Sequence, residues 1–260
     1  MMNIVTEVSA WRTIRKTLSH KSIGFVPTMG HVHEGHLSLC RRSHVENDVT
    51  VVSVFVNPTQ FNQASDFDAY PRTVETDQAA LREARVDYLI LPEVKDMYPD
   101  AYQVQVVETA LSESLEGKCR PGHFNGMLTV VMKLLNLVQP ARAYFGKKDY
   151  QQYLLVRKVA QALLMDVTIV GCETVRADDG LALSSRNARL TPKARERASQ
   201  WARLLKSGQS PAWITTQLID LGFEVEYIAD QWGRRLGAVW LDDVRLIDNV
   251  PLEMVSRGEQ

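Results

Sequence analysis

The first two thirds of the chain alternate between short apolar runs and segments with helical periodicity. Apolar residues recur at helical spacing in residues 4–18, whereas residues 22–26, 49–56 and 88–91 are short runs of mainly apolar residues. The run 49–56 is rich in β-branched residues and too apolar for a half-exposed strand, so it predicts a central parallel strand. Strands that alternate with helices predict an α/β fold with a doubly wound parallel sheet.

The pattern changes near residue 175. Before that point, residues 104–108, 143–145 and 167–170 predict further strands. After it come helices of exposed character and short strands, which are typical of a small α+β unit. We therefore expect a larger domain of residues 1–174 and a smaller C-terminal domain of residues 175–260.

The stretch of residues 25–36 connects the first apolar run to a helix through Pro27, Thr28, Met29 and Gly30. A strand, a glycine turn and a helix start together point backbone N–H groups and a positive helix dipole at one place, where anions bind. His33 and His36 lie three residues apart across this helix start, and their imidazoles can donate to phosphate oxygens. The stretch predicts a phosphate-binding loop.

Zinc is the main alternative for the same histidines. His31, His33 and His36 are close in sequence, but no cysteine pair lies nearby, and the order His-Glu-Gly-His differs from the His-Glu-x-x-His of helical metalloproteases. A non-catalytic metal-binding module therefore stays open as a second interpretation.

Polar residues follow three later strand ends or turns. Gln60 lies in a loop after the central strand, where open α/β sheets place ligands. Lys148 and Asp149 lie at another crossover from strand to helix; from these residues alone we favour an exposed helix start, since charged side chains are mostly exposed. Ser184, Ser185 and Arg186 present hydroxyls and a guanidinium, which suit a polyphosphate.

Composition and charge exclude several classes of protein. The 260 residues carry a formal net charge of -1 without a basic cluster, which argues against a nucleic-acid partner. The sequence has no apolar run of about 18 residues and no signal-peptide pattern, so we expect no membrane association. Three widely spaced cysteines, Cys40, Cys119 and Cys172, indicate reduced thiols and a cytoplasmic protein.

Several separate motifs occur together in one order. They are Pro27-Thr28-Met29-Gly30 with His33-Glu34-Gly35-His36, Phe55-Val56-Asn57-Pro58 with Gln60-Phe61, Tyr70-Pro71-Arg72-Thr73, Gly146 with Lys148-Asp149-Tyr150-Gln151-Gln152, Asp179-Gly180-Leu181-Ala182 with Ser184-Ser185-Arg186-Asn187, and Arg245-Leu246-Ile247-Asp248-Asn249. In this combination the chain closely resembles the pantothenate synthetase family, the pantoate–β-alanine ligases, over nearly its whole length.

The resemblance implies a Rossmann-like domain of nucleotidyltransferase type, a smaller C-terminal lid and a homodimer. It implies an AMP-forming C–N ligase of pantothenate and coenzyme A biosynthesis, with ATP, pantoate and β-alanine as substrates. Pantoate would first form pantoyl adenylate with release of pyrophosphate, and the amine of β-alanine would then displace AMP. Magnesium is expected with ATP.

The resemblance also assigns residue roles. His33 and His36 would bind ATP phosphates, and Lys148, Ser184, Ser185 and Arg186 would stabilise charge during adenylation, so that His36, Lys148, Ser184, Ser185 and Arg186 form the catalytic set. The other expected contacts are Gln60 and Gln152 with pantoate, Met29 at the reaction centre, Asp149 on the ribose, Gly146 and Val175 through their backbone, and Asp77 on a metal ion.

Three positions depart from the family pattern. Lys147 replaces the usual Glu before Lys148, Leu183 replaces the usual Met before the serine pair, and Thr76 stands where an acidic residue often precedes Asp77. The second enzymatic interpretation is another adenylyltransferase of the same superfamily, acting on a phosphate-bearing acceptor. It would need a site for that phosphate, whereas the amides of Gln60 and Gln152 suit a hydroxyl and a carboxylate.

Overall fold

The computed structural model describes residues 2–62 and 67–255. The chain divides into two compact units, which are described separately. The N-terminal unit comprises Met1–Lys147 and Gln151–Cys172, and the C-terminal unit comprises Lys148–Tyr150 and Glu173–Gln260. Within the part of the chain that the structure describes, no helix combines the length and the apolar character needed to cross a membrane.

The N-terminal unit is built on a six-stranded sheet in the order β1-β4-β3-β2-β5-β6. All its strand pairs are parallel, as expected from the alternation of strands and helices. Its strands are β1 Asn3–Val5, β2 Ile23–Thr28, β3 Val49–Val54, β4 Tyr88–Ile90, β5 Arg142–Gly146 and β6 Thr168–Cys172.

Helices connect these strands. They are α1 Val8–Thr17, α2 Glu34–Glu46, α3 Val74–Glu83, α4 Val94–Met97, α5 Glu116–Cys119, α6 His123–Val138 and α7 Tyr150–Ala162, with 3₁₀ turns at Pro58–Gln60, Leu111–Glu113 and Lys147–Asp149. The middle of the sheet is buried, since Phe25, Val51 and Leu89 on three successive strands are each 0% exposed. A continuous apolar run such as β3 is what a parallel strand needs when helices cover both faces of its sheet.

The order of the strands reverses between β2 and β5. Proceeding along the chain from β2, the sheet grows through β3 and β4 on one side, and it then continues through β5 and β6 on the other side. The carboxyl ends of two such neighbouring parallel strands open a crevice, which is where doubly wound sheets bind ligands. The loop after Thr28 and the residue Gly146 both lie at this edge.

The C-terminal unit contains a three-stranded antiparallel sheet in the order β7-β8-β9. Its elements are α8 Pro192–Lys206, α9 Pro211–Asp220, β7 Glu224–Gln231, β8 Arg234–Leu241 and β9 Val244–Pro251, with 3₁₀ turns at Ser185–Arg189 and Leu252–Met254. Trp201 is fully buried in the core of this unit, and a Cβ added to Gly237 of β8 would lie 2.4 Å from its ring. Glycine at this position therefore lets the strand approach the indole.

Two predicted elements were wrong. Residues 4–18 were expected to form one helix, but Asn3–Val5 form the edge strand β1 beside β4, and the helix begins at Val8. Residues 104–108 were expected to form a strand, but the structure assigns none there, and the N–H of Val106 donates to the hydroxyl of Thr129 at 2.9 Å. Neither segment is long or regular enough for the periodicity of its apolar residues alone to decide its secondary structure.

Candidate active site

The loop from Thr28 to His36, called the histidine loop below, leaves β2 through a left-handed turn. Gly30 has φ +85°, and a Cβ there would lie only 3.0 Å from a carboxylate oxygen of Asp77. The hydroxyl of Thr28 accepts from the N–H of Gly30 at 3.1 Å and donates to the carbonyl of Ser53 at 2.9 Å. Glycine is required at this turn for both its conformation and its close contact.

Asp77 of α3 holds the next part of the histidine loop. Its two carboxylate oxygens accept from the backbone N–H of His31 at 2.9 Å and of Val32 at 2.8 Å, and the hydroxyl of Thr73 donates to it at 3.1 Å. The residue is 3% exposed. These bonds satisfy the carboxylate inside the protein, so Asp77 fixes the path of the chain towards His33.

The hydrogen bonds of Asp77 count against its predicted metal-binding role, because both oxygens already accept from the backbone. Among residues 2–62 and 67–255, no group of three or more histidine, cysteine, aspartate or glutamate side chains is arranged to hold a metal ion. The residues around Asp77 thus do not fit a protein-held magnesium site. Magnesium commonly binds through substrate phosphates with few protein ligands, so its part in the reaction stays a prediction.

His33 and His36 cap the start of α2 with their side chains. Nδ1 of His33 accepts from the N–H of Gly35 at 3.1 Å, and Nδ1 of His36 accepts from the N–H of His33 at 3.4 Å. The two rings lie 4.1 Å apart. Because a neutral imidazole that accepts at Nδ1 carries its proton at Nε2, this geometry selects the Nε2–H form of both rings. Two ring N–H donors and the positive end of α2 then occupy one loop, which suits an anion.

The backbone of Gln60 is held by two side chains at the start of α6. His123 Nδ1 lies 2.7 Å from the carbonyl oxygen of Gln60, and an Arg120 nitrogen lies 3.4 Å from it. The Gln60 side chain is 8% exposed, and its amide nitrogen lies 2.8 Å from the sulfur of Met29. The structure therefore brings together Met29 and Gln60, two predicted site residues that are 31 positions apart.

Asn57 fixes the orientation of the Gln60 amide. Its side-chain N–H₂ donates to the side-chain oxygen of Gln60 and to the carbonyl of Gly126, each at 3.1 Å, and its own oxygen accepts from the hydroxyl of Tyr98 at 2.7 Å. Burial raises the pKa of Tyr98 to about 12, so the phenol stays protonated as a donor. With its oxygen used in this way, Gln60 is oriented to offer N–H bonds to a ligand oxygen.

Gln151 and Gln152 are neighbours in α7 with different surroundings. Gln151 is 2% exposed, its oxygen accepts from the N–H of Glu116 at 3.1 Å, and its nitrogen donates to the carbonyls of Leu111 and Ser114 at 2.8 Å. Gln152 is only partly buried. Gln151 therefore has a structural role, and Gln152 stays the predicted substrate contact of this pair.

Gly146 ends β5 with an open flank. Among the described residues, no atom would lie within 4 Å of a Cβ added at this position. A side chain at this position would therefore meet open space, and the nucleotide contact of Gly146 stays a prediction.

The Lys148 segment, which comprises Lys148–Tyr150, belongs to the C-terminal unit. The Lys148 side chain is 17% exposed, and its Nζ lies 4.0 Å from a carboxylate oxygen of Asp149, whose side chain is 46% exposed. At 4.0 Å this contact is too long to hold the ammonium group firmly, so the group can also approach an anionic ligand.

The predicted phosphate binders Ser184, Ser185 and Arg186 follow a tight hairpin formed by residues 175–183, called the serine hairpin below. The N–H of Leu183 donates to the carbonyl of Val175 at 3.0 Å, and Arg176 pairs with Ala182 in an antiparallel bridge. At the end of the hairpin the hydroxyl of Ser184 accepts from the N–H of Arg186 at 3.3 Å. The hairpin thereby fixes the start of the segment that carries the two serines and the arginine.

Sequence reasoning missed part of the support for these groups. Asp77 was considered only for a metal, and neither Arg176 nor Asp248, whose carboxylate accepts from Arg176 at 2.6 and 2.9 Å, was given a role. The signal for Asp248 in the sequence is a carboxylate directly after the apolar pair Leu246-Ile247. Such a residue requires a buried partner.

The switch-point crevice with its histidine loop defines an α/β protein of nucleotidyltransferase type. Residues 2–251 match the family model described as pantoate-beta-alanine ligase. The chain belongs to this family.

Similar proteins agree with this assignment. The chain is 52% identical to the pantothenate synthetase of Legionella pneumophila (strain Corby), over 95% of this chain and 99% of that protein. The crystal structure of the pantoate-beta-alanine ligase from Francisella tularensis, complexed with beta-gamma ATP and beta-alanine, is 40% identical, covers 97% of this chain and 98% of its own, and has a TM-score of 0.93. The pantothenate synthetase of Thermus thermophilus is 42% identical, covers 96% of this chain and 99% of its own, and has a TM-score of 0.88.

Proposed function

We propose that this protein condenses pantoate with β-alanine to form pantothenate while ATP is cleaved to AMP and pyrophosphate. The observation that carries the proposal is the family match along residues 2–251, which includes every predicted site residue. It replaces the earlier alternative of a non-catalytic metal-binding module on His31, His33 and His36.

The first step is the attack of a pantoate carboxylate oxygen on the α-phosphorus of ATP. The bond from this phosphorus to the bridging oxygen breaks, pyrophosphate leaves, and pantoyl adenylate remains. Nε2–H of His33 and His36 donates to phosphate oxygens, and Lys148 and Arg186 with the two serines stabilise the charge that develops. A well-aimed donor of this kind contributes roughly 3–4 kcal/mol.

In the second step the neutral amine of β-alanine attacks the acyl carbon of the adenylate. The acyl–oxygen bond breaks, AMP leaves, the nitrogen loses its proton, and the amide is formed. The reaction needs no covalent bond to the protein. Its rate then depends on how well the protein positions the reactants. Positioning alone can lower the activation barrier by up to roughly 7–11 kcal/mol.

The pantoate contacts are the side chains of Gln60 and Gln152. Since the Gln60 oxygen is engaged by Asn57, its N–H₂ is the group that meets pantoate, and Met29 lies beside it. Asp149 accepts from the ribose, and Gly146 and Val175 offer backbone contacts to the nucleotide. Magnesium accompanies the ATP phosphates.

We further propose that the protein is a cytoplasmic homodimer and that its smaller C-terminal domain acts as a lid. The odd number and wide spacing of Cys40, Cys119 and Cys172 support a reducing compartment. Sedimentation velocity should give about twice the mass of 29.4 kDa calculated for one chain. A single monomer peak at micromolar concentration would contradict the dimer.

The experiment that tests the ligation is product analysis with all three substrates. We expect AMP, pyrophosphate and pantothenate in equal amounts, and sustained AMP release only when both pantoate and β-alanine are present. The alternative adenylyltransferase would instead release pyrophosphate with a phosphate-ester acceptor and join AMP to that phosphate. Formation of this product, without pantothenate, would overturn the proposal.

A further inference from the structure

Asp248 and Asn249 are adjacent polar residues in β9 and are among the most buried polar groups of the C-terminal unit. They are 3% and 1% exposed. Burying an amide and a carboxylate costs free energy unless both are hydrogen-bonded. Their partners therefore show what the two residues hold in place.

Asn249 holds the backbone of Lys148. Its side-chain N–H₂ donates to the carbonyl oxygen of Lys148 at 2.8 Å, across 101 positions of sequence. Its oxygen accepts from Nε of Arg234. The guanidinium of Arg234 in turn lies 4.8 Å from the ring centre of Tyr150. The two ends of the Lys148 segment are thus held by two bonded residues of the C-terminal sheet.

Asp248 holds the serine hairpin. Arg176 forms two hydrogen bonds with this carboxylate, at 2.6 and 2.9 Å, and also donates to the carbonyls of Gly180 at 3.0 Å and Asn249 at 3.1 Å. The strand β9 therefore positions both the backbone of Lys148 and the serine hairpin, which precedes Ser184 and Ser185. Two successive residues of one strand serve two groups that are distant in sequence.

We propose that Asn249 is a positioning residue for Lys148 in adenylate formation, an inference that rests on the proposed function. The amide does not touch a substrate in this role. It fixes the main chain from which the Lys148 side chain extends, and so determines where the ammonium group meets the phosphates. An error of about 1 Å in such a position can slow a reaction on the order of 100-fold.

The test is a double-mutant cycle on adenylate formation in single turnover, with the variants Asn249→Ala, Lys148→Ala and the double variant. We expect Asn249→Ala to slow adenylation by about 10- to 100-fold, while the KM for pantoate stays nearly unchanged. In the Lys148→Ala background the same change should slow it by less than about twofold, since the positioned group is already absent. Residues that act independently would give the same factor in both backgrounds, which would overturn the proposal.

Two further variants separate positioning from folding. Asn249→Asp keeps the oxygen that accepts from Arg234 but turns an acceptor towards the Lys148 carbonyl, so it should slow adenylation and also lower thermal stability. The control is Asp230→Asn, which weakens the partly buried ion pair with Arg235 in the same sheet at 2.8 Å without touching the Lys148 segment. It should lower stability and leave adenylation at the wild-type rate.

The failures can be told apart. A wild-type protein that forms no adenylate overturns the proposed function, and this inference with it. Normal adenylation in Lys148→Ala overturns the role of the lysine. Slow adenylation in Lys148→Ala beside a normal rate in Asn249→Ala or Asn249→Asp overturns the positioning role alone.

Discussion

The histidine loop and the Lys148 segment are supported in different ways. The histidine loop combines local and distant support: the side chains of Thr28, His33 and His36 bond backbone groups within three residues, and Asp77 of α3 accepts from two further backbone N–H groups of the loop. The Lys148 segment depends on Asn249, which follows it by 101 positions.

This difference indicates how each region can fail. The histidine loop keeps its shape as long as its own residues and Asp77, all of the N-terminal unit, are present. The Lys148 segment and the serine hairpin keep theirs only when the C-terminal sheet is folded and its buried ion pair is intact. The predictions below test this contrast, from the largest expected effect to the smallest.

The largest effect is expected for Asp248→Asn. The change leaves the guanidinium of Arg176 without its charged partner, and the Asp248 side chain is only 1% exposed. Breaking a buried pair on one side costs about 3–5 kcal/mol. Urea unfolding should show this loss. In the matched variant Asp243→Asn, the partner carboxylate of Arg189 is 81% exposed, and the loss should stay below about 1 kcal/mol. Equal losses in the two variants would contradict the account.

Lys148→Ala should raise the barrier to adenylation by roughly 3–4 kcal/mol, because it removes one charged donor from the developing phosphate charge. Its melting temperature should match that of the wild type. Lys147→Ala removes an equal charge one residue earlier and should slow single-turnover adenylation by much less. If the two lysines proved interchangeable in this assay, the assignment to Lys148 would be wrong.

His33→Asn separates the two functions of this histidine. Asparagine is a favoured N-cap residue, and its oxygen can replace Nδ1 as the acceptor of the Gly35 N–H, so α2 should stay stable. The Nε2–H donor to phosphate is lost, which should weaken ATP binding by about 1.5–3 kcal/mol. Calorimetric titration with ATP measures this change, and unchanged affinity would remove His33 from the phosphate site.

Asp77→Asn tests the distant support of the histidine loop. An amide offers one acceptor oxygen, so the N–H of either His31 or Val32 would face a donor, at a cost of about 1–3 kcal/mol in stability. We expect weaker ATP binding at every magnesium concentration. Full recovery of affinity by added magnesium would instead show that Asp77 acts through the metal.

The pattern of apolar residues was sufficient to predict most strands of the parallel sheet. The strands β2 and β3 are buried over nearly their whole length, so their apolar runs identified them. The edge strand β1 was missed because it has three residues and pairs only with β4. The expected strand at residues 104–108 contains three valines, but the N–H of its Val106 bonds to a side chain. Pairing, which decides these two cases, is not encoded locally.

In the site, too, features made of neighbouring residues could be predicted, and those that depend on distant partners could not. The histidine loop could be predicted because its turn, cap and donors are consecutive residues. By contrast, nothing local distinguishes Gln151 from Gln152, and only the fold shows that Gln151 is used by three backbone groups. The bond from Asn249 to the carbonyl of Lys148 was equally hidden, since the two residues lie on different elements.

Pantoate-dependent exchange of labelled pyrophosphate into ATP, without β-alanine, tests the central claim most directly. The account predicts exchange that requires pantoate and is strongly reduced in Lys148→Ala, because adenylate formation is reversible and precedes the amine. A folded protein that binds ATP and makes pantothenate, yet shows no exchange and traps no adenylate in single turnover, would contradict the proposed two-step reaction.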